Sequence, residues 1–600
     1  MHVDQPIPVA ARPVTWREPR PPLAPLHARA ARFVRTARYI PLAQLAARAE
    51  CMLRRHLYAL APAAPILSAR RLAAGTREAA PLPALALALI APEGLDAVER
   101  RAAAIARGRF AYLGREVDYS AGVRWHDPEA SPLWAFNLQY LGAVLDLALT
   151  QRTAEAQRLV GDWSAACGQR WDRVAWHPYP VSLRLANLCL AAGLLGSFRA
   201  LGDGTLDLAA THAAYLLGHL ERDLRGNHLL ENAFALLLAA ACLRGPLASR
   251  CDRVARALLA TELDEQVRAD GSHFELSPMY HLIVMQRCLQ AIALLDPGDV
   301  LVRDTLAPAV RRMADFLSGI LCPDGDIPTL GDAARGAAAP PRALLALAER
   351  LVAAQPAPPA EGVTSFADAG LHVFRSGRLW AVFDAGPVCP DYLPGHGQAD
   401  SLTVEVWCDG VCVVGDPGVH EYTGPERAWG RSSRAHSTIT VDDTDTSEVY
   451  GSFRVGGRAH IVSVAAESGA VTATLKPFGV SARLTRTVRL NRAAGATLDI
   501  CDSATVPAGR TARTRLHLHP AVQLVGGLAA DGHHAIARSP AGLIRIDSAQ
   551  PLELERGRSS RQLGLIEPTT ILVQPLATTA HHGGGACTAQ FSIAPLDRVG

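Results

Sequence analysis

At Ala354-Gln355-Pro356-Ala357-Pro358-Pro359-Ala360 the spacing of apolar residues changes from every third or fourth position to every second, so no single kind of layer accommodates the whole chain. Upstream of this break, from about Pro41, the spacing predicts helices over Trp134 to Arg152, Val181 to Leu201, Leu206 to Arg225, Leu229 to Leu243, Cys251 to Asp270, Pro278 to Leu295 and Val302 to Leu321. Short connections between such segments imply sequential antiparallel hairpins, and no fixed-period repeat of a consensus solenoid is present. The expected architecture is an α/α toroid, complete or incomplete. Downstream, Leu371 to Arg375, Leu379 to Phe383, Leu402 to Trp407, Val411 to Val414, Ser437 to Val441 and Thr511 to Leu516 alternate like strands between Gly and Asp turns, which predicts an antiparallel β-sandwich. The expected divisions are an N-terminal arm over 1–40, the toroid over 41–353, a linker over 354–365 and the β-sandwich over 366–600.

Composition narrows the function classes. The 600 residues exceed what one ordinary core holds. Sixty Lys plus Arg against 57 Asp plus Glu leave a net charge of +3, which gives no whole-protein attraction to nucleic acid. A local cleft lined by Arg can still receive an anionic polymer. The twelve cysteines form no CxxC pair and read as reduced, buried small hydrophobes. Met1 to Arg20 is rich in Pro and Arg and lacks an apolar h-region, so the default compartment is the cytoplasm. The apolar run Pro81 to Ala91 is too short for an integral membrane segment.

Two stretches place chemically useful groups at probable helix starts, and a later one adds a histidine in a part of the chain that reads as strand. In Gly226-Asn227-His228-Leu229-Leu230-Glu231-Asn232, Gly226 ends one helix and Asn227 is a good N-cap for the next, with His228 and Glu231 three apart on one face. In Ser277-Pro278-Met279-Tyr280-His281, an N-cap serine followed by proline puts Tyr280 in the first turn, where the helix dipole favours an anion. A phenol with an ordinary pKa near ~10 needs such help to act as a base. Asp270-Gly271-Ser272-His273-Phe274-Glu275 is a polar turn at the same end of the helical domain. In Pro394-Gly395-His396-Gly397-Gln398-Ala399-Asp400, His396 sits on a Gly-rich loop where backbone can approach a ligand. Gln398, Asp416 and His436 together offer an oxygen, a carboxylate and an imidazole to a structural divalent ion. Few reactions need amide, imidazole and phenol together, and one is β-elimination from a uronic acid, whose carboxylate must be neutralised before the C5 proton can leave.

Taken in order, these motifs resemble the heparinase II/III group of polysaccharide lyases, together with Trp134-Ala135-Phe136-Asn137-Leu138-Gln139-Tyr140, Trp176-His177-Pro178-Tyr179-Pro180-Val181-Ser182-Leu183-Arg184, Gly415-Asp416-Pro417-Gly418 and Arg434-Ala435-His436-Ser437. The likeness runs from about Tyr119 to His519. It implies a toroid, a β-sandwich and a cleft between them that receives an anionic polysaccharide such as heparan sulfate, hyaluronan or chondroitin. It also implies that Asn227, His228 and His396 neutralise the uronate carboxylate, that Glu231 orients His228, and that Tyr280 exchanges protons, with Tyr422 in reserve as the acid. Trp176, Arg184 and Arg434 are the expected polymer-binding residues. Many family members carry a second histidine at the Gln398 position as a metal ligand. The amide is a harder and weaker donor, so calcium or manganese is favoured over zinc at a structural site of Gln398, Asp416 and His436, with no organic cofactor. The resemblance also points to a periplasmic location.

Other readings stay open at this stage. Alginate or a bacterial exopolysaccharide is an alternative lyase substrate. An α/α-toroid glycoside hydrolase would recruit Glu231, Glu275 and Asp332. A glycan-binding protein of capsule assembly would retain the fold without the chemistry.

Overall fold

The computed structural model describes residues 25–79, 82–83, 86, 94–492, 496–579 and 585–596. Met1 to Arg20 and most of Pro81 to Ala91 lie outside them. Among the described residues no helix is long and apolar enough to cross a membrane.

The first half is a succession of helices whose apolar faces merge into one core, with Trp134, Trp163, Trp176, Leu185, Leu236 and Met285 fully buried in it. The expected segments form, but three are interrupted and Leu206 to Arg225 ends at Gly218; Val181 to Leu201 stops at Leu195, where Gly196 takes φ 86°, and resumes as a tight turn over Phe198–Leu201. Trp134 to Arg152 divides into Pro132–Gln139 and Gly142–Leu149, separated by Leu141 at φ 53°. At the break Arg184 Nη1 donates to the Gln139 carbonyl at 2.7 Å and satisfies that helix-end acceptor. Val302 to Leu321 opens with a wide turn over Val302–Leu306 before the regular helix Ala307–Ile320, because Pro308 has no N–H for the ladder.

The second half is built from antiparallel sheets. A five-stranded meander runs through Gly362–Phe366, Leu371–Ser376, Leu379–Asp384, Val404–Cys408 and Val411–Val414. A nine-stranded sheet carries Arg483–Asn491 beside Thr497–Val506, and a four-stranded sheet contains Ile439–Val441 and Ala512–His517. Strict alternation along Arg483–Asn491 turns Leu484, Arg486, Val488 and Leu490 inward. The architecture is an N-terminal α/α toroid followed by a C-terminal antiparallel β-sandwich.

A separate apolar cluster welds the halves. Phe316 and Ile320 of the helix Ala307–Ile320 pack with Leu371, Val373, Trp380, Val382 and Trp407 of the meander. That contact sets the height at which loops of the β half meet the helix starts of the toroid. A second tie lies at the N-terminal end, where α1 (Leu26–Ala37) stands in part of the segment expected as an arm and α2 (Leu42–Leu60) follows it at the start of the toroid. Arg32 and Arg35 of α1 pair with Glu448 of the β half, and Gln44 and Arg48 of α2 donate to the Asp223 carbonyl of the toroid.

The β core also holds a buried ion pair. Arg486 and Asp502 face each other across adjacent strands with two hydrogen bonds of 2.8 and 2.7 Å, and Arg486 Nη1 donates further to the carbonyls of Leu402 and Ser437. Removing the cation alone strands a buried carboxylate, which costs about 3–5 kcal/mol. Arg486→Ala should therefore lower the melting temperature by on the order of 10 °C in calorimetry, whereas an exposed Arg→Ala change elsewhere on this sheet should move it little.

Candidate functional site

His396 ends a loop that leaves the strand Leu379–Asp384 and reaches the toroid, and both of its ring nitrogens meet carboxylates. Nδ1 donates to Asp332 Oδ2 at 3.0 Å, and Nε2 lies 3.1 Å from Glu275 Oε2. Burial works against charge on the ring, but the two carboxylates outweigh it and raise the pKa to about 9, so at neutral pH the group is an imidazolium. Glu275 is correspondingly held down, to about 2, against the effect of burial. Asp332 is also held well below the usual carboxylate range against burial, chiefly by Arg427, which pairs with both of its oxygens, and by His396. Gln398 Nε2 completes the shell of Asp332 at 2.8 Å.

Glu275 does a second job at the start of the helix Gly226–Cys242. The Asn227 N–H donates to its Oε1 at 2.6 Å, and the Asn227 amide donates to both of its oxygens at 3.0 and 2.8 Å. The cap of this helix is thus a carboxylate from 48 residues away, and Asn227, expected as the cap itself, lies inside the first turn. Gly226, at φ 57°, is required here, because a Cβ would stand 2.3 Å from Glu275 Oε1 and 2.4 Å from Leu393. Ser277 likewise makes no cap bond, and its hydroxyl donates to the Asp332 carbonyl at 3.0 Å.

His228 projects from the same helix start with about a third of its side chain exposed, 31%. Its Nδ1 donates to Glu221 Oε1 at 2.9 Å, while Asn232 Nδ2 donates to the other oxygen of Glu221 at the same distance. Burial disfavours charge on His228, yet Glu221 prevails and its pKa is raised. His177 is the counterexample 3.6 Å from Glu221: burial, with the charges of His228 and Arg55, lowers its pKa to about 4 despite that carboxylate, and the ring stays neutral. The Tyr179 ring packs on His228 at 4.4 Å.

Tyr280 stacks on His396, ring centroids 4.0 Å apart at 29°, and its hydroxyl hydrogen-bonds that of Tyr422 at 2.9 Å. Both phenols have pKa values raised by burial above all, and Tyr280 further by Tyr422. The helix start therefore does not make Tyr280 acidic in the free protein. Arg427 lies 5.3 Å over the Tyr422 ring and so links that tyrosine to Asp332.

The structure gathers Asn227, His228, Tyr280, His396 and Tyr422 into one cleft and disperses the other expected residues. Glu231 does not orient His228, since Arg287 from the neighbouring helix takes it at 3.0 Å and Glu221 replaces it at His228. Trp176 and Arg184 are fully buried and touch no polymer path. Trp176 stacks on His212, and Arg184 spends its guanidinium on the carbonyls of Gln139 and Ala175 and on His212. Arg434 lies on the outside, 3.7 Å from Glu555.

The residues expected to hold a metal are drawn into bonds within the protein. Gln398 points its amide at Asp332, and its Oε1 is buried without a partner. His436 has both nitrogens in use, Nδ1 on Asp416 at 2.8 Å and Nε2 on the Gly430 carbonyl at 3.0 Å. Among the described residues no three His, Cys, Asp or Glu side chains are arranged to bind an ion. Residues that sequence reasoning missed are Glu221 and Arg427. Glu221 stands seven before His228 but in the turn that precedes its helix, where helical spacing has no meaning, and Arg427 follows Tyr422 by five on the short helix Gly424–Gly430.

Residues 159–347 match the family model described as heparinase II/III N-terminus, and residues 358–583 match the one described as heparinase II/III-like, C-terminal. A heparin-sulfate lyase of Pedobacter heparinus is 29% identical over 298 residues, which cover 45% of each chain. FtsZ-localized protein C of Caulobacter vibrioides is 25% identical over 311 residues, 50% of each chain. The chain spans about half the length of the curated relatives it matches. The crystal structure of heparinase III superposes with a TM-score of 0.67 at 16% identity, covering 84% of this chain and 85% of that one. Both domains, in order and in fold, place this chain in the heparinase II/III family.

Proposed function

We propose that the protein is a lyase that cleaves a uronic-acid-containing anionic polysaccharide, of the glycosaminoglycan kind, by β-elimination to leave an unsaturated uronate end. The observation that carries the reading is the His396 imidazolium stacked on Tyr280, which shares a hydrogen bond with Tyr422. Family membership alone does not carry it, because function resides in the site.

The geometry supports a division of labour. His396 and His228 present positive charge to a uronate carboxylate from opposite walls. Asn227 can join them once its amide exchanges Glu275 for substrate. Neutralising the carboxylate lets charge from the departing C5 proton spread into it, which is electrostatic stabilisation by preorganised groups. A phenol buried like Tyr280 is neutral at rest, and the imidazolium 4.0 Å away favours its phenolate when the proton must be taken. Tyr422, hydrogen-bonded to it, stabilises that phenolate and is positioned to protonate the departing glycosidic oxygen. No step requires a metal.

The hydrolase reading loses its carboxylates. Glu275 and Asp332 clamp His396 between them, and Glu231 is paired with Arg287, so none is free as acid or nucleophile. The name of the Pedobacter relative favours a sulfated glycosaminoglycan over alginate or a bacterial exopolysaccharide as the first substrate to try.

Ultraviolet absorbance during incubation with heparan sulfate, hyaluronan, chondroitin and alginate should rise with at least one of them, since elimination creates a conjugated uronate that hydrolysis does not. Tyr280→Phe should reduce the rate by roughly 10²–10⁴ while the protein remains folded and still binds the polymer. Reducing ends that appear without absorbance would replace the reading by a hydrolase, and glycan binding without cleavage would replace it by a binding protein.

The pH profile follows from His396. Its charged form is needed, so kcat/KM should rise with pH as the phenol becomes easier to deprotonate and then fall as pH passes about 9. Asp332→Asn removes a carboxylate that raises this pKa, and the alkaline limb should move to lower pH. A limb that stays in place would assign it to another group.

A further inference from the structure

We propose that α2 closes one end of the cleft and that Arg55 on it receives the terminal anionic group of the sugar chain, so that short units are removed from a chain end and chain interiors are not cut. The inference rests on the lyase reading and adds the form of its substrate.

The helix α2 is turned inside out. Gln44, Arg48, Cys51, Arg55 and Tyr58 recur at three and four residues along its inward face, whereas Leu42 and Leu60 on the opposite face are 83% and 85% exposed. A helix docked for its own stability buries its leucines. This one spends its polar side on a loop of the toroid: Gln44 Nε2 and Arg48 Nε each donate to the Asp223 carbonyl at 3.1 Å, Arg54 Nη1 donates to the Gly218 carbonyl, and Tyr58 meets His219 Nε2 at 2.8 Å. The same loop carries Glu221, which holds His228 and lies beside His177.

The other end of the strap is fastened to the opposite wall. Glu448 receives Arg32 and Arg35 of α1, and Thr36 hydrogen-bonds Tyr450. Tyr450 opens the hairpin Val449–Val455, whose Ser452 carbonyl accepts from Arg427 and whose Phe453 packs on Tyr422 at 5.9 Å. Thus α1 and α2 span from the wall of His228 to the wall of Tyr422, on the side of His177, and a polymer cannot continue through them.

Arg55 is the group at that end with nothing to hold. It is half-buried and makes no hydrogen bond or ion pair with any described residue. Helix periodicity sets it on the inward face between Arg48, which donates to the Asp223 carbonyl, and Tyr58, which meets His219, so it lies over the Glu221 loop, and its charge acts on His177, Tyr215 and Asp223. A guanidinium held near the Asp223 carboxylate without pairing directly to it keeps its planar fork open to a carboxylate or sulfate at the end of a chain, either of which it binds in a bidentate manner.

The test uses the full chain and whichever polysaccharide gives the absorbance rise. Products are sized by gel filtration from the earliest times. The expected result is unsaturated product of the smallest size from the first sample, with the mass of the remaining polymer almost unchanged. Arg55→Gln, checked for folding by circular dichroism, should raise KM for a size-defined tetrasaccharide about tenfold or more, and more than it lowers kcat. Arg32→Gln with Arg35→Gln releases α1 from Glu448 and should add products of intermediate length. An early ladder of tetra-, hexa- and octasaccharides from the unaltered protein would overturn the proposal, as would an unchanged KM in Arg55→Gln. No absorbance with any polymer would overturn the lyase reading itself, a result distinct from either of these.

Discussion

The imidazolium of His396, held between Glu275 and Asp332, is the constraint on which the site depends. Glu275 and Asp332 come from turns of the toroid, and His396 and Arg427 come from loops of the β half. Two carboxylates and two cations meet with formal charges that cancel, nearly all of it out of water. Such a cluster contributes little net stability, because the desolvation of each ion offsets most of the attraction. What it fixes is geometry. With both ring nitrogens donating, His396 has one orientation, and that orientation lays its face against Tyr280.

The remaining groups are aligned through the same carboxylates. Glu275 caps the helix that presents His228 and ties down Asn227, so the helix start cannot shift without disturbing His396. Asp332 reaches Tyr422 through Arg427, whose guanidinium lies over the ring. Amide, imidazole and both phenols are therefore parts of one frame, joined by hydrogen bonds, ring stacking and a guanidinium over a ring, that crosses the domain boundary. The apolar weld of Phe316 and Ile320 against Trp380 and Trp407 supplies the attraction that the charges do not.

Much of this was legible in the sequence, and what was not has physical causes. The period change at Ala354 to Ala360 fixes two architectures because side-chain period is a property of each element. The motifs around Asn227, Tyr280 and His396 name groups that the structure brings together. Their partners were misread where reasoning relied on proximity along the chain. Glu231 is three residues from His228 on one helix, yet Arg287 of the adjacent helix claims it, and the partner of His228 comes from the preceding turn. Arg184 and Trp176 read as surface residues because a cation and an indole suit sugars. Four buried acceptors around Arg184, counting the Trp163 face, make it a core residue, and nothing local announces them. The reversed polarity of α2 is invisible to periodicity, which reports a face but not which way it looks.

His436 shows why the chemistry of a group alone does not make a site. Like His396 it is an imidazole bonded to a carboxylate, and its pKa is raised to about 9 against burial by Asp416. Around it Asp384 is pushed up to about 8 by burial and then by Asp400, and Asp400 to about 7 by burial and then, against His436, by Asp416 and Asp332. Protons and a single imidazolium thus balance this acidic pocket, and the second nitrogen of His436 is spent on the Gly430 carbonyl. The side chain of His436 has no exposed surface, whereas that of His396 keeps 11%. The same charged ring is a structural cation in one place and a group able to meet a substrate in the other, and access decides between them.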